Sequence, residues 1–489
     1  MSLIDRTRSV LGHAVDVYRG TAYERRLTAV RDRLDEPLRV AIAGRVKAGK
    51  STLLNALVGD RLAPTDAGEC TRIVTWYQDG HTYRVLATPT GGEPIQLRFS
   101  REDGAIEVDL GDLTVDDVAQ LVITWPSQAL RTVTLIDTPG IGSLSEQTSR
   151  RAWDLLVPDE EETPADAVVY LMRHLHANDV EFLRAFHDVE VSRPNPVNAI
   201  GILSRADEIG VGRLDAMASA RRIADRLSTD ANVRRLVQSV VPVAGLLAET
   251  AATLTEVEVA QLRRVAELPV AQAEQLLLSA DRFVQHLPEL GLTTIEREAL
   301  LGRFGMFGLR LSAAMLRHKP GTTATELAQE LTERSGLTQL REVLTSLFFE
   351  RRDVLKARSA LLALSDVTRV CVRPGSDQVA GAVEEIIASA HPFNELRVLS
   401  SLRAGWITGK AAVVAELEQV IGGGGAAAHQ RLRLPADASA AEVTEGAIEA
   451  LGRWQRRAES PMTSYEMAMA ARVAVRSCEG IIADQRRSA

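Results

Sequence analysis

The run Gly44-Arg-Val-Lys-Ala-Gly49-Lys50-Ser51 limits what this 489-residue chain can fold into more than any other feature. It matches G-x-x-x-x-G-K-[ST], follows a short apolar strand pattern at residues 38–43, and precedes a helical pattern at residues 52–58. That strand, loop and helix order is the context a phosphate-binding loop requires. Small residues let backbone N–H groups close around polyphosphate, and the helix N-terminus adds favourable potential. Gly44, Lys47, Ala48, Gly49, Lys50, Ser51 and Thr52 are therefore candidate phosphate contacts. Lys50 is expected to meet the β- and γ-phosphates, and Ser51 to ligate Mg²⁺.

Further motifs follow in the order such a site needs. Asp137-Thr-Pro-Gly140 ends an apolar strand pattern at residues 133–136. A carboxylate there can hold Mg²⁺ through water, and the Gly140 N–H can reach the γ-phosphate. Thr71, in Gly68-Glu-Cys-Thr71-Arg, is the candidate third Mg²⁺ donor, with Thr65 as competitor. Ser204-Arg205-Ala-Asp207 resembles the guanine-reading [NT]-K-x-D element with both leading residues changed. Asp207 can accept from the guanine N1 and N2 edge, which adenine cannot supply. Arg205 can lie along the base, and the loop Val243-Ala244-Gly245 is expected to offer a backbone N–H, at Ala244, to guanine O6.

Around these motifs, β-branched runs alternate with helical patterns through roughly residue 250, which implies a mainly parallel sheet covered by helices on both faces. The runs at 73–77, 83–87 and 95–99 read as antiparallel hairpins inserted after Thr71. Beyond that point the strand signals nearly stop and long helical patterns take over, broken by Pro392, by Gly422 to Gly425 and by Ser460-Pro461. The expected division is an N-terminal helix over 1–36 packing into a stalk, a nucleotide domain over 37–345, and an elongated all-helical stalk over 346–489. Phe304-Gly-Met-Phe-Gly308 is expected in the core of the nucleotide domain.

The net charge of −8 argues against a general nucleic-acid binder. Cys70, Cys371 and Cys478 lack metal-ligand spacing and point to a reducing compartment. No stretch approaches the ~20 uninterrupted apolar residues that span a bilayer, and residues 1–35 lack a signal peptide's apolar core. These features suggest a cytoplasmic, soluble protein, for which any membrane contact is peripheral.

The phosphate loop followed by Leu-Leu-Asn55-Ala-Leu, the hairpin insertion and the helical tail resemble the bacterial dynamin-like protein family. The resemblance implies a P-loop G domain carrying a helical bundle, hydrolysis of GTP to GDP with Mg²⁺, and homodimerisation across the nucleotide face. It also implies membrane remodelling, with fission favoured over fusion, on the inner face of the plasma membrane. Classical dynamins carry Gln-Ser where this chain has Val46 and Lys47. Lys47 becomes a candidate to neutralise transition-state charge in cis, beside Lys50 and Thr71. For contact with anionic lipid, the candidate tip is Arg369, Val370, Val372 and Arg373, in the turn before Gly375. Trp406, Ile407 and Lys410, or Arg431 and Arg433, are the alternatives. The rival reading is a regulatory or assembly GTPase whose tail is a protein-interaction platform.

Overall fold

The computed structural model describes residues 2–64, 73–102, 105–140, 165–173, 180, 183, 198–285, 290–403 and 405–488. Among them, runs of alternating or continuous apolar residues form ten strands: β1 (Leu38–Gly44), β2 (Val74–Asp79), β3 (Arg84–Pro89), β4 (Ile95–Glu102), β5 (Ala105–Asp109), β6 (Val118–Trp125), β7 (Val133–Asp137), β8 (Ala167–Met172), β9 (Ala199–Ser204) and β10 (Val240–Val243). They make one sheet in the order β10-β9-β8-β1-β7-β2-β6-β3-β4-β5. Strands β10, β9, β8, β1 and β7 run parallel, and β7, β8 and β9 are buried along their whole length. Continuous apolar runs belong in a sheet covered on both faces.

The parallel half is the sheet the sequence implied, and the other half adds antiparallel pairings. β2 pairs antiparallel with β7, and β6, β3, β4 and β5 pair antiparallel with one another. The sheet is mixed. The expected hairpin between β2 and β3 is also absent, because β6 lies between them, parallel to β2. Period-two patterning identifies strands but not their partners.

The helices begin with α1 (Leu3–Val17), α2 (Ala22–Asp32) and α3 (Lys50–Val58), and continue as α4 (Ala216–Thr229), α5 (Gly245–Ala252), α6 (Glu256–Glu267), α7 (Val270–Leu276), α8 (Ala280–Val284), α9 (Thr294–His318), α10 (Ala324–Arg334) and α11 (Leu337–Leu344). Several start at a capping box, in which a Ser or Thr and an acidic residue three positions on satisfy each other's backbone N–H: Ser2 with Asp5, Thr255 with Glu258, Thr293 with Glu296, and Thr323 with Glu326. Helix α9 is long and apolar enough to cross a membrane by composition alone. It is bent at Gly305 (φ 60°, ψ 175°), however, and Phe304 and Phe307 lie in the nucleotide domain's core, as the sequence suggested.

The tail comprises α12 (Arg352–Val370), α13 (Ser376–Ser389), α14 (His391–Arg403), α15 (Ala411–Val420), α16 (Ala428–Leu432), α17 (Ala440–Glu459) and α18 (Tyr465–Ser488). A π-helical turn at Thr345–Phe349 separates α11 from α12. The single N-terminal helix expected from periodicity is two. Arg8 pairs with Asp35 at 2.5 Å, and the Tyr18 and Tyr23 rings meet edge to face at 6.3 Å. α1 and α2 are therefore an antiparallel hairpin that turns at Tyr18 to Thr21. The start of α1 thus lies back beside the entry to β1.

This hairpin and the α12–α13 hairpin form a four-helix bundle with both turns at one end. The Tyr18 hydroxyl donates to the Cys371 carbonyl at 2.8 Å, while Arg6 reaches the Ser389 hydroxyl at the other end at 2.9 Å. Lys356 anchors that other end to the segment that leads into β1, donating to the Leu34 carbonyl at 3.1 Å. The length of α12 puts the turns about 28 Å away. A second helical layer, built on Leu399, Leu417, Trp454, Ala471 and Cys478, holds α14, α15, α17 and α18. The Gly422–Gly425 breaker joins it to the bundle: Arg351 donates to the Gly422 carbonyl, and Glu350 accepts from the Ala427 N–H at 3.1 Å.

Candidate active site

Strand β1, between β8 and β7, delivers Gly44 to a place where only glycine fits. Its φ is +146°, and a Cβ there would lie 2.5 Å from the Leu171 carbonyl oxygen. The chain then turns through Lys47 (φ 61°) and Gly49 (φ 91°) into α3. Both sit in the left-handed region, which Gly49 adopts at no steric cost. Lys50 reaches back over this loop, 3.5 and 3.4 Å from the Gly44 and Arg45 carbonyls. Burial holds its ammonium below the usual lysine range, with Asp137 opposing.

One turn into the site, the Ser51 hydroxyl donates to Asp137 Oδ2 at 2.9 Å. The other carboxylate oxygen, Oδ1, is buried and has no hydrogen-bond partner among the described residues. Burial raises the Asp137 pKa, and Lys50, Ser51 and the Thr138 N–H only partly oppose it. A hydroxyl beside an unsatisfied buried carboxylate is a donor set that fits a hard divalent cation such as Mg²⁺. Gly140 closes over the loop, since a Cβ there would lie 2.5 Å from Val46 Cγ2. Thr71 and Thr65 lie outside the described residues.

A cavity of about 160 Å³ extends from Ala48, Gly49 and Thr52 to Ser204, Arg205, Asp207 and Leu246. The phosphate loop and the proposed base-reading loop therefore share one hollow. Burial pushes the Asp207 carboxyl up, opposed by its own backbone N–H and by Arg205 and Arg173. Arg205 occupies the left-handed region at φ 51° and donates to the Lys47 carbonyl at 2.9 Å. The Lys47 side chain is exposed. One residue does not fall where the sequence reading put it. Ala244 is fully buried and its N–H donates to the Ser335 carbonyl at 2.9 Å, so it cannot meet a base. Gly245 and Leu246, in the first turn of α5, line the cavity in its place. Their N–H groups belong to the helix start, where no intrahelical partner exists.

The comparisons with known proteins agree with this geometry. Residues 40–205 match the family model described as Dynamin family. The chain is 42% identical over 491 aligned residues to the isoniazid-induced protein IniC of Mycobacterium tuberculosis, covering 99% of each. The chain belongs to the dynamin family. Over a shorter stretch, 21% of this chain and 16% of the relative, it is 30% identical to the bacterial dynamin-like protein of Nostoc punctiforme. A chain from a structure described as an oligomerised bacterial dynamin pair aligns with 99% of this one and 91% of itself, at 13% identity and a TM-score of 0.35. This dynamin is a GTPase.

The far end of its four-helix bundle differs in part from the expected tip. Val370 and Val372 are 68% and 77% exposed. Arg369 also faces out, paired with Asp366 at 2.8 Å. Arg373 does not: its guanidinium lies over the Tyr18 ring at 5.9 Å, with Nη1 buried. Exposed Arg19, on the neighbouring turn, supplies a cation that the one-helix reading concealed. Of the alternatives, Ile407 is buried and Arg431 pairs with Glu395 inside the second layer. Trp406 is half exposed, and Met462 and Tyr465 at the α17–α18 turn are strongly so.

Proposed function

We propose that this dynamin couples its GTP cycle to the remodelling of anionic membrane, fission rather than fusion, at the cytoplasmic face of the plasma membrane. The observation that carries this reading is the pair of exposed valines, Val370 and Val372, beside Arg369 and Arg19, at the bundle end opposite the Lys356 anchor. Apolar side chains can enter the headgroup boundary while each arginine adds about 1 kcal/mol on anionic lipid. Such weak contacts become firm when an assembly multiplies them.

In the site, Lys50 exchanges two long carbonyl contacts for β- and γ-phosphate oxygens. Ser51 and Asp137, with Thr71, would hold Mg²⁺, which would neutralise charge on the transferred phosphoryl group. Asp207 accepts from guanine N1 and N2, Arg205 lies along the base, and the α5 start meets O6. Exposed Lys47 supplies positive charge to the transition state in cis. Val46 and Lys47 stand on the open face of the loop, which supports dimerisation across the nucleotide. The GTP-held loops relax after hydrolysis, and the change passes through Lys356 and the bundle to its far end.

A second reading, an assembly GTPase with a protein-docking tail, draws on exposed Met462, Tyr465 and Trp406 at the end of the second layer. Sedimentation with phosphatidylglycerol-rich vesicles, followed by electron microscopy with and without GTP, separates the two. Val370→Asp with Val372→Asp should abolish pelleting and GTP-dependent deformation while turnover in solution persists. Undiminished vesicle binding by that variant would favour the second reading.

A further inference from the structure

Asn55 lies one helical turn beyond Ser51 on the same face of α3, and is almost completely buried. Its side chain uses its entire hydrogen-bonding capacity. Oδ1 accepts from the N–H groups of Leu62 and Ala63, at 3.0 and 2.7 Å. Nδ2 donates to the Ala63 carbonyl at 2.9 Å and to Glu249 Oε1 at 3.0 Å. Two donors and two lone pairs are all an amide offers, so no other side chain of this length could replace it.

Glu249 comes from α5, the helix whose first turn lines the base end of the cavity. Its carboxylate is buried and also faces Arg61 Nε at 3.4 Å. Burial raises its pKa, with Asn55 the strongest opposing influence. An uncompensated carboxylate in such a place is costly, so the amide and the guanidinium hold it there.

We infer that Asn55 and Glu249 form a positioning clasp for GTP hydrolysis, fixing the backbone at Leu62 and Ala63 against both the phosphate-loop helix and the base-loop helix. The chain leaves this clasp towards Thr71, so the clasp sets the point from which the γ-phosphate-sensing residue is presented. This rests on the roles proposed above for Ser51, Thr71 and Asp207. None of the clasp residues lines the cavity. Loss of the clasp should therefore penalise the state in which γ-phosphate and Mg²⁺ are both engaged, and spare GDP.

Asn55→Asp removes both donors and sets a carboxylate against Glu249. With the full-length protein, GDP affinity should stay within about threefold of the parent, while affinity for a non-hydrolysable GTP analogue with Mg²⁺, and turnover, fall about tenfold. Glu249→Gln alone keeps an acceptor for Asn55 and should have the smaller effect. Combining the two restores a donor facing an acceptor, so the double variant should bind the analogue better than Asn55→Asp alone. Equal losses for GDP and the analogue would overturn the clasp, as would strictly additive effects in the double variant. Should Lys50→Ala and Asp207→Ala bind GTP as tightly as the parent, the reading of the site itself fails, and the clasp with it. The milder Glu249→Gln keeps the comparison open if Asn55→Asp does not fold.

Discussion

Arg205 Nη2 donates to the main-chain carbonyl of Lys47 at 2.9 Å, tying the proposed base-reading loop to the phosphate loop. The other guanidinium nitrogen pairs with Glu208 at 2.7 Å. Both Arg205 and Lys47 hold left-handed backbone, so each strained residue is braced by the other. Arginine's planar fork aims a separate nitrogen at each acceptor, whereas a lysine ammonium would have to serve both from one nitrogen. Arg205→Ala should weaken GDP and GTP by a similar factor, about tenfold, with kcat little changed, because the contact joins two loops and does not depend on the γ-phosphate. Fluorescent-nucleotide titration beside steady-state kinetics checks this, and a fall in kcat at constant KM would contradict it.

Gly305 bends α9 where the helix passes the base pocket. A Cβ there would stand 3.5 Å from Leu246 Cδ2 and 3.9 Å from an Asp207 carboxylate oxygen, so space is adequate. The backbone is the obstacle, because φ 60° with ψ 175° is a region nearly confined to glycine. Gly305→Ala should cost about 1–3 kcal/mol of stability and weaken GTP in step with the displaced pocket wall. Thermal denaturation with and without GTP measures both. An unchanged melting temperature would show that the bend relaxes without consequence.

Burial raises the Asp137 carboxyl above the ordinary range, so the native protein binds this proton more tightly than the unfolded chain. Stability from this group is therefore greatest on the acid side and declines as pH rises through the window between the unfolded and folded values. Cation binding has the opposite sign, because it needs the ionised carboxylate. Mg²⁺·GTP affinity should fall as pH is lowered through the raised Asp137 value, and Asp137→Asn should flatten that dependence. Calorimetric titration across the acid range checks it; identical slopes for the parent and the variant would contradict it.

Cys478 sits fully buried in the second helical layer, where burial pushes its thiol up to about 11. Cys371 lies half-buried at the bundle end. Since only the thiolate reacts, iodoacetamide near pH 8 should modify Cys371 well before Cys478 in the native protein. Mass-spectrometric mapping after brief labelling reads the order. Equal rates would mean that the second layer opens on the labelling timescale.

Much of the site was legible because its chemistry is local. Gly44 to Ser51 is one continuous run whose backbone makes the cradle, and Asp137 and Asp207 stand at strand ends that apolar patterning marks. The chain turn that divides α1 from α2 was hidden because Tyr18 to Thr21 holds only one glycine, and helical spacing continues across it. Ala244 was misassigned because its N–H goes to Ser335, a partner far along the chain that periodicity cannot reveal. Arg373 looked lipid-facing for a similar reason: its ring partner, Tyr18, comes from the opposite end of the sequence. Asn55 carried a signal, a buried amide amid apolar helix residues, but its partner Glu249 emerges only in three dimensions.

In the proposed site, one hollow grips phosphate at Lys50 and reads the base at Asp207. Xanthine carries a carbonyl where guanine carries the 2-amino group, so an amide can pair with it where a carboxylate cannot. Turnover of GTP and of xanthosine triphosphate by the Asp207→Asn variant is the most direct measurement. GTP hydrolysis should collapse, and xanthosine triphosphate should become the preferred substrate. Undiminished GTP turnover by that variant would place base recognition elsewhere and contradict the proposed site.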